Sequence, residues 1–113
     1  MKIDSYSFGA MTIDGRTYKS DLILHSDRID DGWRRKQGHH CCLADLSAAL
    51  QINPGVLIIG TGDSGLMPVG DDLRDHCRKN KIELIVLPTA RAVAAYNGCP
   101  NKASAIAAFH LTC

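Results

Sequence analysis

An apolar run, Val56–Ile59, leads directly into the glycine-rich sequence Gly60-Thr61-Gly62-Asp63-Ser64-Gly65. A continuous apolar run is typical of a strand that is buried on both faces of a parallel sheet. The loop spells the dinucleotide-binding pattern G-x-G-x-x-G, in which the third glycine lies inside a helix that has already begun. Pro68 follows shortly after the third glycine, and proline is tolerated only in the first turn of a helix. The next helix is therefore expected to begin near Gly70 or Asp71. The sequence therefore predicts a buried strand and a glycine-rich turn, without a dinucleotide site.

The residues after this loop have the pattern of a strand, helix, strand unit. Residues 71–80 begin with two aspartates and end with basic side chains, which suits the dipole of a helix. The apolar run Leu84–Leu87 is then a second buried strand, which should run parallel to the first. Thr89 is a suitable N-cap for a helix over residues 90–96, and Asn97-Gly98 would end that helix in a left-handed conformation. Residues 43–113 are therefore predicted to be α/β.

The first 42 residues are predicted to be mainly β. Asp14-Gly15 is a strong signal for a hairpin turn, whereas the charged residues 27–32 are expected to form a turn without a strand. A short helix over residues 43–50, stopped by Asn53-Pro54-Gly55, would connect this part to the α/β unit. The expected strands of the first part are Ile3–Phe8, Met11–Ile13 and Thr17–His25.

Length, charge and cysteine content limit the class of protein. A chain of 113 residues, 45% of them hydrophobic, is expected to form one domain over residues 1–113. A formal net charge of +1 gives no general attraction for nucleic acid. The sequence has no apolar run of membrane-spanning length, and its first residues lack the apolar core of a signal peptide, so a cytoplasmic protein is expected. The five cysteines contain no C-x-x-C pair, which favours free thiols.

The carboxyl-terminal half resembles a known family in the order and spacing of several short motifs. The chain is similar to the small domain family that includes the adipogenesis-associated protein and mitochondrial complex I assembly factor 3. The matching residues are Leu57-Ile58-Ile59-Gly60-Thr61-Gly62, Pro68, Lys81-Ile82-Glu83-Leu84, Thr89-Ala90-Arg91-Ala92-Val93, Tyr96-Asn97 and Phe109-His110-Leu111-Thr112-Cys113, with weaker matches at Tyr18, Trp33-Arg34 and Gly38-His39-His40.

The resemblance implies a three-layer α/β fold. Its central sheet is mixed, with parallel core strands and an antiparallel last strand; helices cover the faces, and the N-terminal part adds an antiparallel β layer. On this ground the ambiguous segment Ala103–Thr112 is predicted to be a strand. The chain departs from the family at Cys99-Pro100-Asn101-Lys102, where an acidic residue, a glycine and an arginine are usual.

Two parts of the α/β unit are expected to meet at the carboxyl edge of the sheet. If the strands 56–59 and 84–87 are adjacent, the glycine-rich loop and the helix that follows Pro88 lie side by side. Backbone N–H groups from both would then converge on a small anion or a carboxylate, aided by a nearby guanidinium. The predicted ligand-binding residues are Gly60, Thr61, Gly62, Thr89 and Arg91.

A second candidate site is the run His39-His40-Cys41-Cys42, whose imidazole and thiolate groups are donors for soft metals. Neighbours in a strand point to opposite faces, so only alternate residues could share an ion, and further ligands such as His110 and Cys113 would be needed. Because the usual paired-ligand spacing is missing, no metal and no other cofactor is expected. Cys42 is the best candidate for a reactive thiol, although an inert buried thiol is the commoner case.

Two functions remain open. The first is a non-catalytic protein-interaction or assembly-support role with a protein partner, which the family resemblance implies. It also fits the lack of an assembled set of acid, base and nucleophile. The alternative is a small-anion or small-molecule site, possibly enzymatic, at the Gly60–Gly62 and Thr89–Arg91 crevice. The basic run Arg34-Arg35-Lys36 beside Trp33 is predicted to be a solvated turn, so no nucleic-acid partner is expected.

Overall fold

The computed structural model describes residues 1–113 and contains eight strands in two sheets. The smaller sheet is antiparallel in the order β1-β2-β3, and the larger one is mixed in the order β5-β4-β8-β6-β7. This arrangement confirms the predicted α/β class with an added N-terminal β layer. The strands are β1 (Ile3–Ser7), β2 (Ala10–Ile13), β3 (Arg16–Tyr18), β4 (Leu22–Leu24), β5 (Ile29–Asp31), β6 (Val56–Thr61), β7 (Glu83–Leu87) and β8 (Ala105–His110).

Three α-helices connect the strands of the larger sheet: α1 (Leu43–Leu46), α2 (Asp71–Lys79) and α3 (Thr89–Asn97). The helix predicted over 43–50 is shorter than expected, because a separate 3-10 turn covers Ala49–Ile52. Gly98 ends α3 with a right-handed φ of −84°, where a left-handed one was predicted. The Lys102 ammonium donates a hydrogen bond to the Asn97 carbonyl at 3.1 Å. This terminal carbonyl therefore has a partner without a left-handed turn.

The last strand, β8, lies in the middle of the larger sheet, between β4 and β6. It runs antiparallel to β4 but parallel to β6, which corrects the predicted antiparallel direction. The reason is the connection through α3, because a strand that follows another through a helical crossover returns in the same direction. β6 and β7 are adjacent and parallel, as predicted.

The N-terminal part has two differences from the predicted strands. The segment predicted as one strand over 17–25 is broken, so that β3 stays in the small sheet while β4 joins the large one. All three residues of β4 are buried, which suits an inner strand rather than a half-exposed hairpin. The charged segment 27–32, predicted as a turn, contains the edge strand β5. The hairpin at Asp14-Gly15 is confirmed, with φ of +48° and +83° at the two turn residues.

The larger sheet separates two hydrophobic cores. Alternate side chains of β6 point to opposite faces, so Leu57 and Ile59 pack with Leu73 of α2, while Ile58 packs with Tyr96 of α3. The second core also includes buried residues of the small sheet. The layers are therefore α1 with α2, the large sheet, and α3 with the small sheet, in agreement with the predicted three-layer arrangement.

Substitution of Leu57 tests this core. Leu57 is fully buried in β6, so Leu57→Ala should lower the free energy of unfolding by roughly 2–5 kcal/mol. Leu66 is 70% exposed in the loop after β6, and Leu66→Ala should change it by less than about 0.5 kcal/mol. Urea denaturation of both variants measures the difference. Equal losses would contradict the assignment of Leu57 to the core.

Candidate functional site

The two loops predicted to form the crevice do lie side by side, and they bond to each other. The Gly62 N–H donates to the Thr89 hydroxyl at 2.9 Å, and the Thr89 N–H donates to the Gly62 carbonyl at 3.0 Å. The Thr89 hydroxyl in turn donates to the His110 carbonyl at 2.6 Å. Thr89 is fully buried and is the first residue of α3, with Pro88 at the N-cap position where Thr89 was predicted. Its side chain therefore connects α3, the glycine-rich loop and β8.

These bonds occupy the Gly62 and Thr89 N–H groups, two of the backbone donors on which the predicted anion site depended. The Asp63 N–H also has an internal partner, the Thr112 carbonyl, at 3.3 Å. Gly62 has a φ of +106°, and a Cβ there would collide with the Thr112 carbonyl oxygen. A ligand would have to rely on other donors, such as the exposed Arg91 guanidinium. Ligand binding by Gly60, Thr61, Gly62, Thr89 and Arg91 stays a prediction.

The charged centre of the molecule is the Asp21 carboxylate, which lies just before β4. It accepts hydrogen bonds from the Leu111 N–H at 2.8 Å, from His110 Nδ1 at 2.8 Å and from the Arg35 guanidinium at 2.7 Å. Burial would raise the pKa of Asp21, but these three hydrogen bonds outweigh it and hold the pKa below its usual value. Asp21 is therefore an ionised carboxylate that joins β4, β8 and the loop after β5.

Arg35 fixes the loop that contains the two histidines. Its side chain is only 5% exposed. The guanidinium stacks 4.5 Å from the centroid of the Trp33 ring and also donates to the Gly38 carbonyl at 2.7 Å. Its Nη1 atom is buried without a hydrogen-bond partner. The basic run was predicted to be a solvated turn, which is wrong for Arg35. No local pattern points to Asp21, because its partners are distant along the chain.

His110 lies at the end of β8 with its two ring nitrogens in different surroundings. Nδ1 is bonded to Asp21, whereas Nε2 is buried and has no hydrogen-bond partner. The His39 ring packs edge-on against it, with 5.7 Å between the centroids. Donor atoms of His39, His110 and Cys113 all lie within 4.8 Å of one another. These are three of the residues considered for a metal in the sequence, and the structure brings them together.

Cys41 and Cys42, which were considered as metal ligands from the sequence, have structural roles. Burial, together with the nearby Asp45 charge, raises the pKa of the Cys41 thiol to about 12, so this group is not poised as a thiolate. Cys42 precedes α1 and donates through its backbone and its thiol to the Asp45 carboxylate, at 2.9 and 3.2 Å. Cys42 is therefore the N-cap residue of a short helix and is held there by Asp45. All five cysteines are free thiols.

The larger of two cavities has a volume of about 400 Å³ and lies between α3 and the sheet. It is at the amino ends of β6 and β7, opposite the glycine-rich loop. Part of its wall is the segment in which the chain departs from the family pattern. The lining residues are Gly55, Val56, Ile58, Glu83, Ile85, Ala95, Gly98, Cys99, Pro100, Asn101 and Ser104. The sequence did not predict this cavity, because its wall combines residues from segments that are far apart along the chain and meet only in the fold.

Strand β7 forms one edge of the large sheet, with β6 on one side only. The Glu83 N–H donates to the Gly55 carbonyl at 2.9 Å, so Glu83 faces β6. Because backbone groups alternate along a strand, Leu84 and Val86 turn their N–H and C=O groups outward. The side chains of Leu84–Leu87 are all partly exposed. An apolar edge of this kind can pair with another chain.

A family model described as a protein of unknown function (DUF498/DUF598) matches residues 3–111. The chain belongs to this family. The finer resemblance to the adipogenesis-associated protein and to complex I assembly factor 3 stays a prediction. The family description assigns no reaction.

Solved structures of other proteins share the fold over nearly the whole chain. A conserved hypothetical protein from Pyrococcus horikoshii OT3 is 26% identical, with full coverage of both chains and a TM-score of 0.86. A protein from Xanthomonas campestris is 22% identical over 96% of this chain and 83% of its own, with a TM-score of 0.80. A protein described as an outer membrane protein from Bartonella henselae is 22% identical over 97% of this chain and 93% of its own, also with a TM-score of 0.80. In the present chain, none of the helices has the length and apolar character needed to cross a membrane.

The role of the Thr89 hydroxyl can be tested by a nearly isosteric change. Thr89→Val leaves the Gly62 N–H without its partner and the His110 carbonyl without a donor, so the free energy of unfolding should fall by roughly 2–5 kcal/mol. Thr89→Ser keeps the hydroxyl and should lose clearly less. Denaturant unfolding compares the two variants, and an equal loss for both would show that packing, not hydrogen bonding, makes Thr89 important.

The Asp21 carboxylate should make the free energy of unfolding depend on pH in the acid range. Because the pKa of Asp21 is lowered in the folded state, its contribution is present above its unfolded pKa of about 3.9 and is lost as the pH falls through the folded value. Asp21→Asn should cost roughly 3–5 kcal/mol at neutral pH and should weaken the acid dependence. The exposed Asp31→Asn is the control. Unfolding curves measured from pH 7 to pH 2 would contradict this account if both variants kept the native acid dependence.

Proposed function

We propose that the protein is a non-catalytic protein-binding module that receives an extended segment of a partner protein along β7. The observation that carries the proposal is the apolar edge strand with outward N–H and C=O groups at Leu84 and Val86. A partner strand would satisfy these groups through main-chain hydrogen bonds. Such a role agrees with the assembly-support function that the resemblance to complex I assembly factor 3 implies.

The neighbouring cavity indicates what the partner should contain. Ile85 belongs both to β7 and to the cavity wall, so a segment lying along the strand would pass the cavity. Strand addition commonly takes affinity from the backbone and specificity from side-chain pockets. The volume of about 400 Å³ accommodates a large apolar side chain of the partner. Glu83 is exposed at the same place and favours a basic residue next to it.

The cavity lacks the groups of a catalytic site. Among its lining residues, only Glu83 and Cys99 have titratable side chains, and no pair of acid and base is assembled there. The free thiols fit a reducing compartment such as the cytoplasm. We therefore expect a binding role in that compartment without turnover of a substrate.

Filling the cavity tests the proposal. Ala95 lines the cavity, whereas its neighbour Ala94 is an exposed residue of α3 outside the wall. Ala95→Leu should lower the affinity for the partner at least about tenfold, a loss of 1.4 kcal/mol, and Ala94→Leu should leave it unchanged. Capture from native cell extract with each variant, followed by mass spectrometry, identifies a protein that depends on Ala95.

A synthetic peptide from the captured protein then allows a direct measurement. In hydrogen exchange, the amides of Leu84 and Val86 should exchange rapidly in the free protein and become protected when the peptide binds. Val86→Pro, which removes an outward N–H, should weaken peptide binding. Identical capture by all variants, or protection confined to another surface, would contradict the proposal. Loss of binding of a small apolar molecule in Ala95→Leu would instead indicate a small-molecule site.

A further inference from the structure

We propose that His39, His110 and Cys113 form a zinc site with one coordination position left for a water molecule or an external donor. The observation behind it is that one donor atom from each residue lies within 4.8 Å of the others. Two imidazoles and a thiolate are typical ligands for zinc. The site lies at the carboxyl end of β8, away from the β7 edge, so it is independent of the proposed protein-binding role.

His110 is prepared for this role by Asp21. The Asp21 carboxylate can only accept, and it already accepts from the Leu111 N–H and from Arg35, so Nδ1 of His110 carries the proton between the two side chains. In the neutral ring, this leaves the lone pair on Nε2. A carboxylate that orients a histidine through its second nitrogen is the usual support of zinc-binding histidines.

The buried Nε2 atom is the second, independent sign of a ligand. It has no hydrogen-bond partner, although the His110 side chain is only 4% exposed. Buried polar atoms are rarely left unpaired, because each one costs about 1–3 kcal/mol. Coordination of a cation would satisfy this lone pair, and the Thr89 hydroxyl and Asp21 hold the end of β8 in place.

The distances require only a small adjustment. Bond lengths of about 2.0–2.3 Å in a tetrahedral site place the ligand atoms about 3.3–3.8 Å apart. The donors lie within 4.8 Å, so the most distant pair would have to approach by about 1.0–1.5 Å. His39 is exposed and Cys113 is partly exposed, so both can move, while the buried His110 stays fixed.

Nearby charged groups both oppose and favour a cation at this site. The Arg35 guanidinium lies 3.2 Å from His110 Nδ1 and opposes a cation, but the Asp21 carboxylate 2.7 Å from Arg35 and a Cys113 thiolate offset it. Neither cavity is lined by His110 or Cys113, so there is no pocket for a substrate that a Cys113 nucleophile would attack. The arrangement therefore favours an ion over thiol catalysis.

Metal titration of the purified chain tests the site. After treatment with a chelator, calorimetry with Zn²⁺ should show one ion bound per chain. Binding should weaken as the pH falls, because the thiol and the imidazoles must lose protons to act as ligands. Co²⁺ should bind in the same place and give a thiolate-to-metal charge-transfer absorption with tetrahedral visible bands.

Matched variants separate this site from the other histidines and cysteines. His39→Ala and Cys113→Ser should each weaken Zn²⁺ binding by at least the factor of about 10–100 that is typical of losing a residue that only supports a ligand. Cys113→Ser should also abolish the charge-transfer band. The controls His40→Ala and Cys99→Ser should keep native affinity and the band. Circular dichroism confirms that all four variants are folded. No stoichiometric binding by the native chain, or equal binding by His39→Ala and His40→Ala, would overturn the proposal.

Discussion

The ion pair and hydrogen bonds of Asp21 join segments that are far apart in the sequence. One carboxylate is held by Arg35 from the loop after β5 and by His110 and Leu111 at the end of β8. A buried charge is tolerated only when its partners are in place, because an isolated one would cost several kcal/mol. The N-terminal part of the chain is thereby tied to the C-terminal strand. The loop that contains His39 and His40 is also held in place here, because Arg35 donates to the Gly38 carbonyl.

The position of β8 explains why this centre matters. Strand β8, the last strand in the sequence, lies between β4 and β6. The large sheet is therefore complete only when β8 has paired with β4 from the N-terminal part of the chain. Thr89 and Gly62 close the carboxyl end of this sheet through reciprocal hydrogen bonds. In open α/β sheets ligands usually collect at this end, but here the Gly62, Asp63 and Thr89 N–H groups bond to internal acceptors. The cavity is found instead at the amino ends of β6 and β7.

Local patterns in the sequence were sufficient for much of the fold. The apolar runs of β6 and β7, the charges of α2 and the Asp14-Gly15 turn each act over a few residues, and all of these elements are present. The direction of β8 could not be read in this way, since its partner strands are fixed by the whole topology. The resemblance identified its strand character but gave a direction that holds only toward β4.

The candidate sites show the same limit. Thr89 and Gly62 were correctly expected to be neighbours, but the sequence does not show that their N–H groups bond to each other's residue. Nor does it show that the carbonyls of His110 and Thr112 accept from the Thr89 hydroxyl and the Asp63 N–H. Asp21 gave no local signal, and the basic run that contains Arg35 indicated only a solvated turn. His39, His110 and Cys113 could be named from donor chemistry, although only the folded chain brings them within 4.8 Å.

In the neutral ring, Asp21 fixes the proton of His110 on Nδ1 and leaves the lone pair on Nε2. Nitrogen-15 NMR of the histidine rings in the metal-free protein at neutral pH measures this directly, because the two nitrogens of a neutral imidazole have distinct chemical shifts. We expect the Nδ1–H tautomer for His110, with an unprotonated Nε2 whose chemical shift changes on addition of Zn²⁺. A neutral His110 protonated on Nε2 would contradict it.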